Sequence, residues 1–197
     1  MLKVCGLKYV ENLSDVLTLA PDFAGLIFYE SSPRDTHVTP NELKELKLGS
    51  TKMVGVFVNT PIHFIEENIR AFKLDYVQLH GDESPATCIE LKKLNVGVIK
   101  AFSVNQNFNF SLTHDYRMCD YFIFDTKGKS RGGNGIKFDW SLLQRYQGQA
   151  SFLLSGGIGV EQAGIDFKSI HPKCVGVDIN SKFEIAPGLK DVGKIKS

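Results

Sequence analysis

The 197-residue sequence lacks the features of exported, membrane-spanning and zinc-binding proteins. Its first residues do not combine a charged start, a long apolar segment and a cleavage site, so no export signal is expected. No apolar run approaches the roughly 20 residues of a membrane-spanning helix. The cysteines have neither the Cys–Cys nor the Cys–His spacing of zinc sites; they are Cys5, Cys88, Cys119 and Cys174. We therefore expect a cytoplasmic protein with reduced thiols and no metal.

The sequence also lacks an excess of charge of either sign. Lys and Arg total 23 and Asp and Glu total 22, for a formal charge of +1. No global field would attract nucleic acid or an anionic membrane, so any anionic ligand must be held by local groups. Hydrophobic residues make up 43% of the chain, which is enough to bury one continuous core. We expect a single domain over residues 1–197.

Short apolar segments rich in β-branched residues recur along the chain and are typical of strands buried on both faces. Their predicted bounds are 2–7, 23–29, 52–58, 76–80, 96–102, 121–126, 151–155 and 174–179. Helical patterns lie between most of them, and Thr39, Thr60 and Ser84, each followed by proline, are predicted to cap three helices. Residues 103–118 show no good helical period, so the fifth helix is predicted to be reduced or irregular.

This alternation of strands and helices without a linker favours the α/β class and a single closed (βα)8 barrel, the TIM-barrel fold. An open doubly wound sheet is the alternative. Barrels of this type usually have roughly 200 to over 400 residues, so this one must be compact, with tight loops and at least one truncated helix.

Reactive or anion-binding residues stand where the predicted strands end. The active site of a parallel barrel lies at the carboxyl ends of its strands, so these residues are expected to meet. They are Cys5, Arg34, His80, Asp125, Gly156, Gly157 and Asp178. Simple turns would favour a mixture of Asn, Gly, Ser and Pro at such positions, so the coincidence favours a catalytic site.

Asp125 ends an apolar strand and leads into a basic, glycine-rich loop that contains Gly132 and Gly133. An apolar environment favours a protonated carboxyl, which would make Asp125 a general acid; the alternative is an aspartate that caps the next turn. The glycine pairs 132–133 and 156–157 can bring backbone N–H groups close to phosphate oxygens, although either alone is compatible with an ordinary turn. Together these features indicate phosphosugar chemistry.

Three further side chains have both a functional and a structural interpretation. Cys5 could act as a base if nearby charge, such as that of Lys3, lowers its pKa, or it could be a buried apolar filler. Arg34 could bind a substrate carboxylate through two hydrogen bonds, or be a solvated loop residue. His80 could anchor a ligand, carry protons or bond to nearby backbone, and we favour the anchor.

Motifs in order along almost the whole chain resemble those of phosphoribosylanthranilate isomerase. They are Lys3-Val4-Cys5-Gly6, Gly25-Leu26-Ile27-Phe28-Tyr29 with Ser32-Pro33-Arg34, residues 54–59, residues 78–83, Phe138-Asp139-Trp140, residues 154–158 and residues 187–191. The resemblance implies a (βα)8 barrel of tryptophan biosynthesis that isomerises N-(5-phosphoribosyl)anthranilate to a 1-deoxyribulose phosphate by an Amadori rearrangement. It implies neither metal nor cofactor, and as partners this substrate and other enzymes of the pathway.

The same resemblance assigns roles to individual residues. It implies that Cys5 is the general base, Asp125 the general acid and Arg34 the group that holds the anthranilate carboxylate. The other substrate-binding residues would be Lys3, His80, Gly132, Gly133, Gly156, Gly157, Asp178, Asn180 and Ser181, with phosphate at the glycines and at the turn after the eighth strand. Many family members have Ser-Ser-Gly in that turn, whereas this chain has Asn180-Ser181-Lys182 and so lacks a residue that tolerates positive φ.

Two other functions are compatible with a phosphate-binding barrel. The first is another phosphosugar enzyme, such as the indole-forming synthase, which would need catalytic lysines at strand ends; Lys100 is the strong candidate. The second is a phospho-ligand binding protein without turnover, against which Cys5 and Asp125 argue.

Overall fold

Eight parallel strands, each paired with the next in sequence order, close into a barrel in the computed structural model, which describes residues 1–126 and 139–197. The strands are β1 Leu2–Cys5, β2 Phe23–Phe28, β3 Lys52–Phe57, β4 Tyr76–Leu79, β5 Gly97–Val104, β6 Tyr121–Thr126, β7 Ser151–Leu154 and β8 Cys174–Ile179. Lys3 in β1 lies in register with Asp178 in β8, and this pairing closes the sheet. The predicted barrel is confirmed, and the open-sheet alternative is wrong.

Helices occupy the described connections between strands. The α-helices are α1 Val10–Leu17, α2 Pro40–Glu45, α3 Ile62–Phe72, α4 Pro85–Lys92, α5 Phe167–Ile170 and α6 Val192–Lys196; 3-10 helices span Phe110–Tyr116, Trp140–Arg145, Val160–Gln162 and Ser181–Phe183. The fifth connection contains only the 3-10 helix Phe110–Tyr116, as predicted. In the described ranges, no helix has the length and apolar character needed to cross a membrane.

Two of the three predicted helix caps are confirmed. The Thr39 hydroxyl accepts a hydrogen bond from the Glu42 N–H in a capping box, and Ser84 accepts one from the Thr87 N–H. The prediction for Thr60 is wrong, because Pro61 itself occupies the N-cap position of α3 and the helix begins one residue later.

An antiparallel hairpin follows β8 and was not predicted from the sequence. Its strands are β9, Glu184–Ala186, and β10, Leu189–Lys190. Strands of three and two residues are too short to produce a recognisable hydrophobic alternation.

The amino end of the barrel is filled by aromatic side chains. Phe23, Tyr76 and Tyr121 stand at the first positions of β2, β4 and β6, and the Phe23 ring meets the two tyrosine rings edge to face at centroid distances of 5.2 and 5.8 Å. Contributions from alternate strands form the layers of such barrels. The amino end is therefore packed, and the space for a ligand lies at the carboxyl end.

Candidate active site

A cavity of about 280 Å³ lies at the carboxyl ends of the strands. The residues that line it include nine of those singled out from the sequence, namely Cys5, Arg34, His80, Asp125, Gly156, Gly157, Asp178, Asn180 and Ser181. Gly132 and Gly133 lie outside the described residues. The barrel thus brings a thiol, a carboxyl and the turns after the seventh and eighth strands to one opening.

The Cys5 thiol faces the barrel interior at the end of β1. A Cβ atom placed on the neighbouring Gly25 would lie 3.0 Å from Cys5 Sγ and 3.3 Å from Lys3 Nζ, so glycine leaves room for both groups. Burial raises the pKa of the Cys5 thiol, and the positive charge of Lys3 offsets this only in part. The expectation that nearby cations lower this pKa is therefore wrong, because desolvation outweighs their attraction.

Lys3 lies beneath the cavity rather than on its wall. Its fully buried ammonium forms an ion pair with Asp178 at 2.8 Å. Burial alone would lower the pKa of Lys3, but the charges of Asp178 and Cys5 and the hydrogen bonds to them together outweigh burial and raise it. Lys3 is not among the described residues that line the cavity, because its side chain points inward one layer below Cys5. It orients Asp178, which does line the cavity and whose second oxygen lies 3.4 Å from Ser155 Oγ.

Asp125 is the penultimate residue of β6, and its Oδ2 lies 3.5 Å from His80 Nε2. The other ring nitrogen, Nδ1, lies 2.9 Å from the Gln78 amide nitrogen. With this amide as donor, Nδ1 accepts and the imidazole proton is on Nε2, which faces the carboxyl. Gln78 lies in β4 and His80 directly follows this strand, two residues along, and both side chains line the cavity.

The Arg34 guanidinium is held by Glu184 of the β9–β10 hairpin. Arg34 Nε lies 2.9 and 3.1 Å from the two Glu184 oxygens, and Nη2 lies 2.7 Å from Oε2. The Lys190 ammonium lies 2.6 Å from Glu184 Oε1 and 2.6 Å from Asn180 Oδ1. Arg34 is therefore not a solvated loop residue, and its ion pair with Glu184 fixes the orientation of its guanidinium.

Two turns, directly after β7 and β8, line the same cavity. Gly156 and Gly157, directly after β7, have φ angles of 84° and 70°, which residues with a Cβ rarely adopt. Their N–H groups donate no hydrogen bond within the described part of the chain. In the second turn, Lys182 lies in the 3-10 helix Ser181–Phe183 and does not have a positive φ. The missing family glycine therefore causes no backbone strain there.

The strand-borne Lys100 does not reach the cavity. Its ammonium points outward from β5, where it lies 2.9 Å from Glu83 Oε2 and donates to the Leu79 and Gly81 carbonyl groups. This arrangement removes the lysine that an indole-forming synthase would need. Among the described residues, no cluster of His, Cys, Asp and Glu side chains is arranged to hold a metal ion.

Comparison with known proteins identifies the family. A family model described as N-(5'-phosphoribosyl)anthranilate (PRA) isomerase matches residues 2–197. The chain belongs to this family. A PRA isomerase of Parabacteroides distasonis is 44% identical to it, over 100% of this chain and 90% of that protein. One of Phocaeicola vulgatus is 38% identical, over 97% and 92% respectively.

Solved structures of PRA isomerases have the same barrel. The enzyme of Thermotoga maritima has a TM-score of 0.82 and 31% identity, covering 99% of this chain and 94% of that one. Another PRA isomerase structure has a TM-score of 0.78 and 29% identity over the same shares. That protein is in complex with reduced 1-(o-carboxyphenylamino)-1-deoxyribulose 5-phosphate.

Two residues at the PRA isomerase site were missed in the sequence, Glu184 and Lys190. Lys190 belongs to the motif 187–191 that contributed to the resemblance, but nothing in the sequence indicated that its side chain would be buried. Glu184 lies 150 residues from its partner Arg34. Only the closed barrel brings these two residues together.

Proposed function

We propose that the protein isomerises N-(5'-phosphoribosyl)anthranilate to 1-(2-carboxyphenylamino)-1-deoxyribulose 5-phosphate by an Amadori rearrangement, using a single barrel domain over residues 1–197. Cys5 is the general base and Asp125 the general acid. The observation that carries this proposal is the convergence of both side chains on one cavity, in a chain that matches the PRA isomerase family over residues 2–197. We further infer that it acts in the cytoplasm, within tryptophan biosynthesis.

The first chemical step is ring opening. Asp125, as the carboxylic acid, gives its proton to the furanose ring oxygen while the bond from that oxygen to C1 breaks and the anilino nitrogen forms a C1=N iminium. The Nε2–H of His80, facing Asp125 Oδ2, stabilises the carboxylate that this step leaves behind. The positively charged iminium acidifies the adjacent C2–H, so ring opening precedes proton abstraction.

The second step is proton transfer at carbon. The Cys5 thiolate removes the C2 proton, and the bonding electrons neutralise the iminium. The resulting enolamine takes up a proton at C1 while its C2 hydroxyl loses one, which gives the ketone. The ammonium groups of Lys3 and Lys190 both favour the thiolate electrostatically. They therefore lower the free energy of the reactive form, although burial keeps this form a minor one.

The substrate would be held at both ends while its reacting carbons lie between the two catalytic groups. Arg34 would bind the anthranilate carboxylate, and the Gly156–Gly157 amide groups with the Asn180–Ser181 turn would bind the phosphate. Asp178 lines the same cavity as Cys5 and these turns, and sugar hydroxyls would meet it there. The cavity volume of about 280 Å³ is near the lower end of the range for small-molecule sites, about 300–1,000 Å³.

The direct test is to generate the substrate in situ from anthranilate and phosphoribosyl pyrophosphate with an added anthranilate phosphoribosyltransferase, and to follow the loss of its fluorescence with purified protein. We expect fluorescence loss proportional to enzyme, with the deoxyribulose phosphate as product. Unchanged fluorescence would overturn the proposal. Conversion of added 1-(2-carboxyphenylamino)-1-deoxyribulose 5-phosphate to indole-3-glycerol phosphate, with no effect on the fluorescence of phosphoribosylanthranilate, would instead indicate a synthase.

The pH dependence of thiol alkylation reports the pKa of Cys5. Because burial raises this pKa, the rate of modification by iodoacetamide is expected to rise with pH and to reach half its maximum above the value of about 8.5 for a free cysteine. Mass spectrometry assigns the modified residue, and Cys5→Ser is the control. A half-maximum below that of free cysteine would show that cations, not burial, dominate the site.

Substitution of Gly156 tests the phosphate turn. At its φ of 84°, an added Cβ costs about 1–2 kcal/mol, so Gly156→Ala is expected to tilt the amide groups and raise KM about tenfold or more. Gly164→Ala is a matched control, since Gly164 has a φ of 79° and open space around its Cβ position away from the cavity. Equal KM values for the two variants would argue against phosphate binding at this turn.

A further inference from the structure

We propose that Glu184 and Lys190 are positioning residues that hold the Arg34 guanidinium in the orientation needed to bind the substrate carboxylate. The inference rests on the proposed function, in which Arg34 is the carboxylate ligand. It adds a pair of residues, on the β9–β10 hairpin, that act through Arg34.

Glu184 fixes both the position and the plane of the guanidinium. Its two oxygens accept from Arg34 Nε and Nη2 at 2.7 to 3.1 Å, a forked geometry that leaves the planar group little freedom to rotate. The side chains are largely buried, with 12% of Arg34 and 5% of Glu184 exposed. Within the described ranges, Arg34 Nη1 makes no hydrogen bond to the protein, so this edge is available to a ligand.

Lys190 keeps the Arg34 site positively charged. A lone Glu184 would neutralise Arg34 and weaken its attraction for a second carboxylate. Burial lowers the pKa of Lys190, and the charge of Glu184, whose Oε1 lies 2.6 Å from the ammonium, opposes this. With Lys190 protonated, the cluster of two cations and one anion has a net charge of +1. Burial would raise the pKa of Glu184, but the hydrogen bonds from Arg34 and the charge of Lys190 outweigh burial and lower it. Glu184 is therefore ionised at neutral pH.

The hairpin that carries the pair is itself anchored to the barrel. Lys190 N donates to Asn12 Oδ1 at 2.7 Å and Asn12 Nδ2 donates to the Lys190 carbonyl at 2.9 Å, which ties β10 to α1. Gly188 N donates to Glu184 Oε1 at 3.0 Å. Gly6 leaves space for the Arg34 stem, since a Cβ there would lie 2.9 Å from Arg34 Cδ. Because these contacts are all made within the protein, they place Arg34 without help from a ligand, and ordering it on binding costs little.

The test measures how much the substrate carboxylate contributes to binding in each variant. The probes are reduced 1-(o-carboxyphenylamino)-1-deoxyribulose 5-phosphate and its phenylamino counterpart without the carboxylate, with Kd measured by calorimetry. In the wild type the carboxylate is expected to tighten binding at least about tenfold, as for a charge-assisted pair. Glu184→Gln is expected to lose most of this factor while the Kd of the second probe changes less than about twofold.

Equal weakening of both probes by Glu184→Gln would mean that Glu184 supports the fold generally, and would overturn the inference. If Glu184→Gln does not fold, Glu184→Asp keeps the charge, shortens the fork and is expected to give the same selective loss. Arg34→Ala distinguishes failure of the proposed function from failure of the positioning role. If the substrate carboxylate still tightens binding to Arg34→Ala as it does to the wild type, Arg34 is not the carboxylate ligand and this part of the proposed function is wrong. If Arg34→Ala loses the contribution of the carboxylate but Glu184→Gln retains it, only the positioning role is wrong.

Discussion

Asp125→Asn is expected to lower kcat at least about 10²-fold, the usual contribution of a proton-transfer group. Asparagine has nearly the same shape as a protonated aspartic acid but cannot release a proton to the furanose oxygen, so ring opening loses its acid. The carboxyl stands at the cavity wall beside His80, where the substituted amide can still be accommodated. The KM is expected to change little. The measurement is the steady-state fluorescence assay, with the melting temperature recorded in parallel.

Asp120→Asn is a matched control for this variant. Asp120 immediately precedes the same strand at the opposite end of the barrel, where it pairs with Lys92 and accepts from the Val98 N–H. Its substitution is expected to lower stability without changing kcat. Wild-type turnover by Asp125→Asn would remove the proposed general acid.

Cys5→Ser is also expected to lower kcat by about 10²-fold or more, because it removes the general base rather than the general acid. A hydroxyl is a far weaker acid than a thiol, so serine does not provide an anionic base at neutral pH. The ammonium groups of Lys3 and Lys190 near this position cannot compensate for that difference. The substitution removes no apolar contact other than those of the sulfur atom, and the fold is expected to persist.

Cys174→Ser provides the corresponding control, because Cys174 is fully buried in β8 and does not line the cavity. It tests whether replacing a buried sulfur with oxygen is itself harmful. We expect reduced stability with unchanged kcat in this variant. Equal losses of kcat in both serine variants would contradict a specific role of Cys5.

The strands were predictable because a parallel barrel buries both faces of each strand, which produces continuous apolar runs such as Phe23–Phe28. Cys5, Asp125 and Asp178 were predictable as cavity residues because they stand near the carboxyl ends of strands, where parallel barrels have their active sites. Helix starts were less predictable. Thr60 precedes proline as Thr39 does, yet Pro61 itself is the N-cap residue of α3, whereas Thr39 caps α2.

Side-chain partners and electrostatics were not predictable from sequence order. Lys3 was expected at the substrate, but the β1–β8 register pairs it with Asp178 below the cavity. The pKa of Cys5 depends on the balance between burial and charge, and the sequence reveals only the charges. The support for Arg34 comes from Glu184 on a hairpin too short to detect. Each of these contacts depends on how the closed barrel brings residues together that are distant in the sequence.

The most direct test of acid–base catalysis by Asp125 and Cys5 is a single-turnover measurement with substrate deuterated at C2. Cys5→Ser should show a primary isotope effect, because removal of the C2 proton becomes rate-limiting when the base is impaired. Asp125→Asn should show none, because ring opening breaks no bond to hydrogen at carbon and becomes the slow step. An isotope effect in Asp125→Asn but not in Cys5→Ser would contradict the assignment of the two residues.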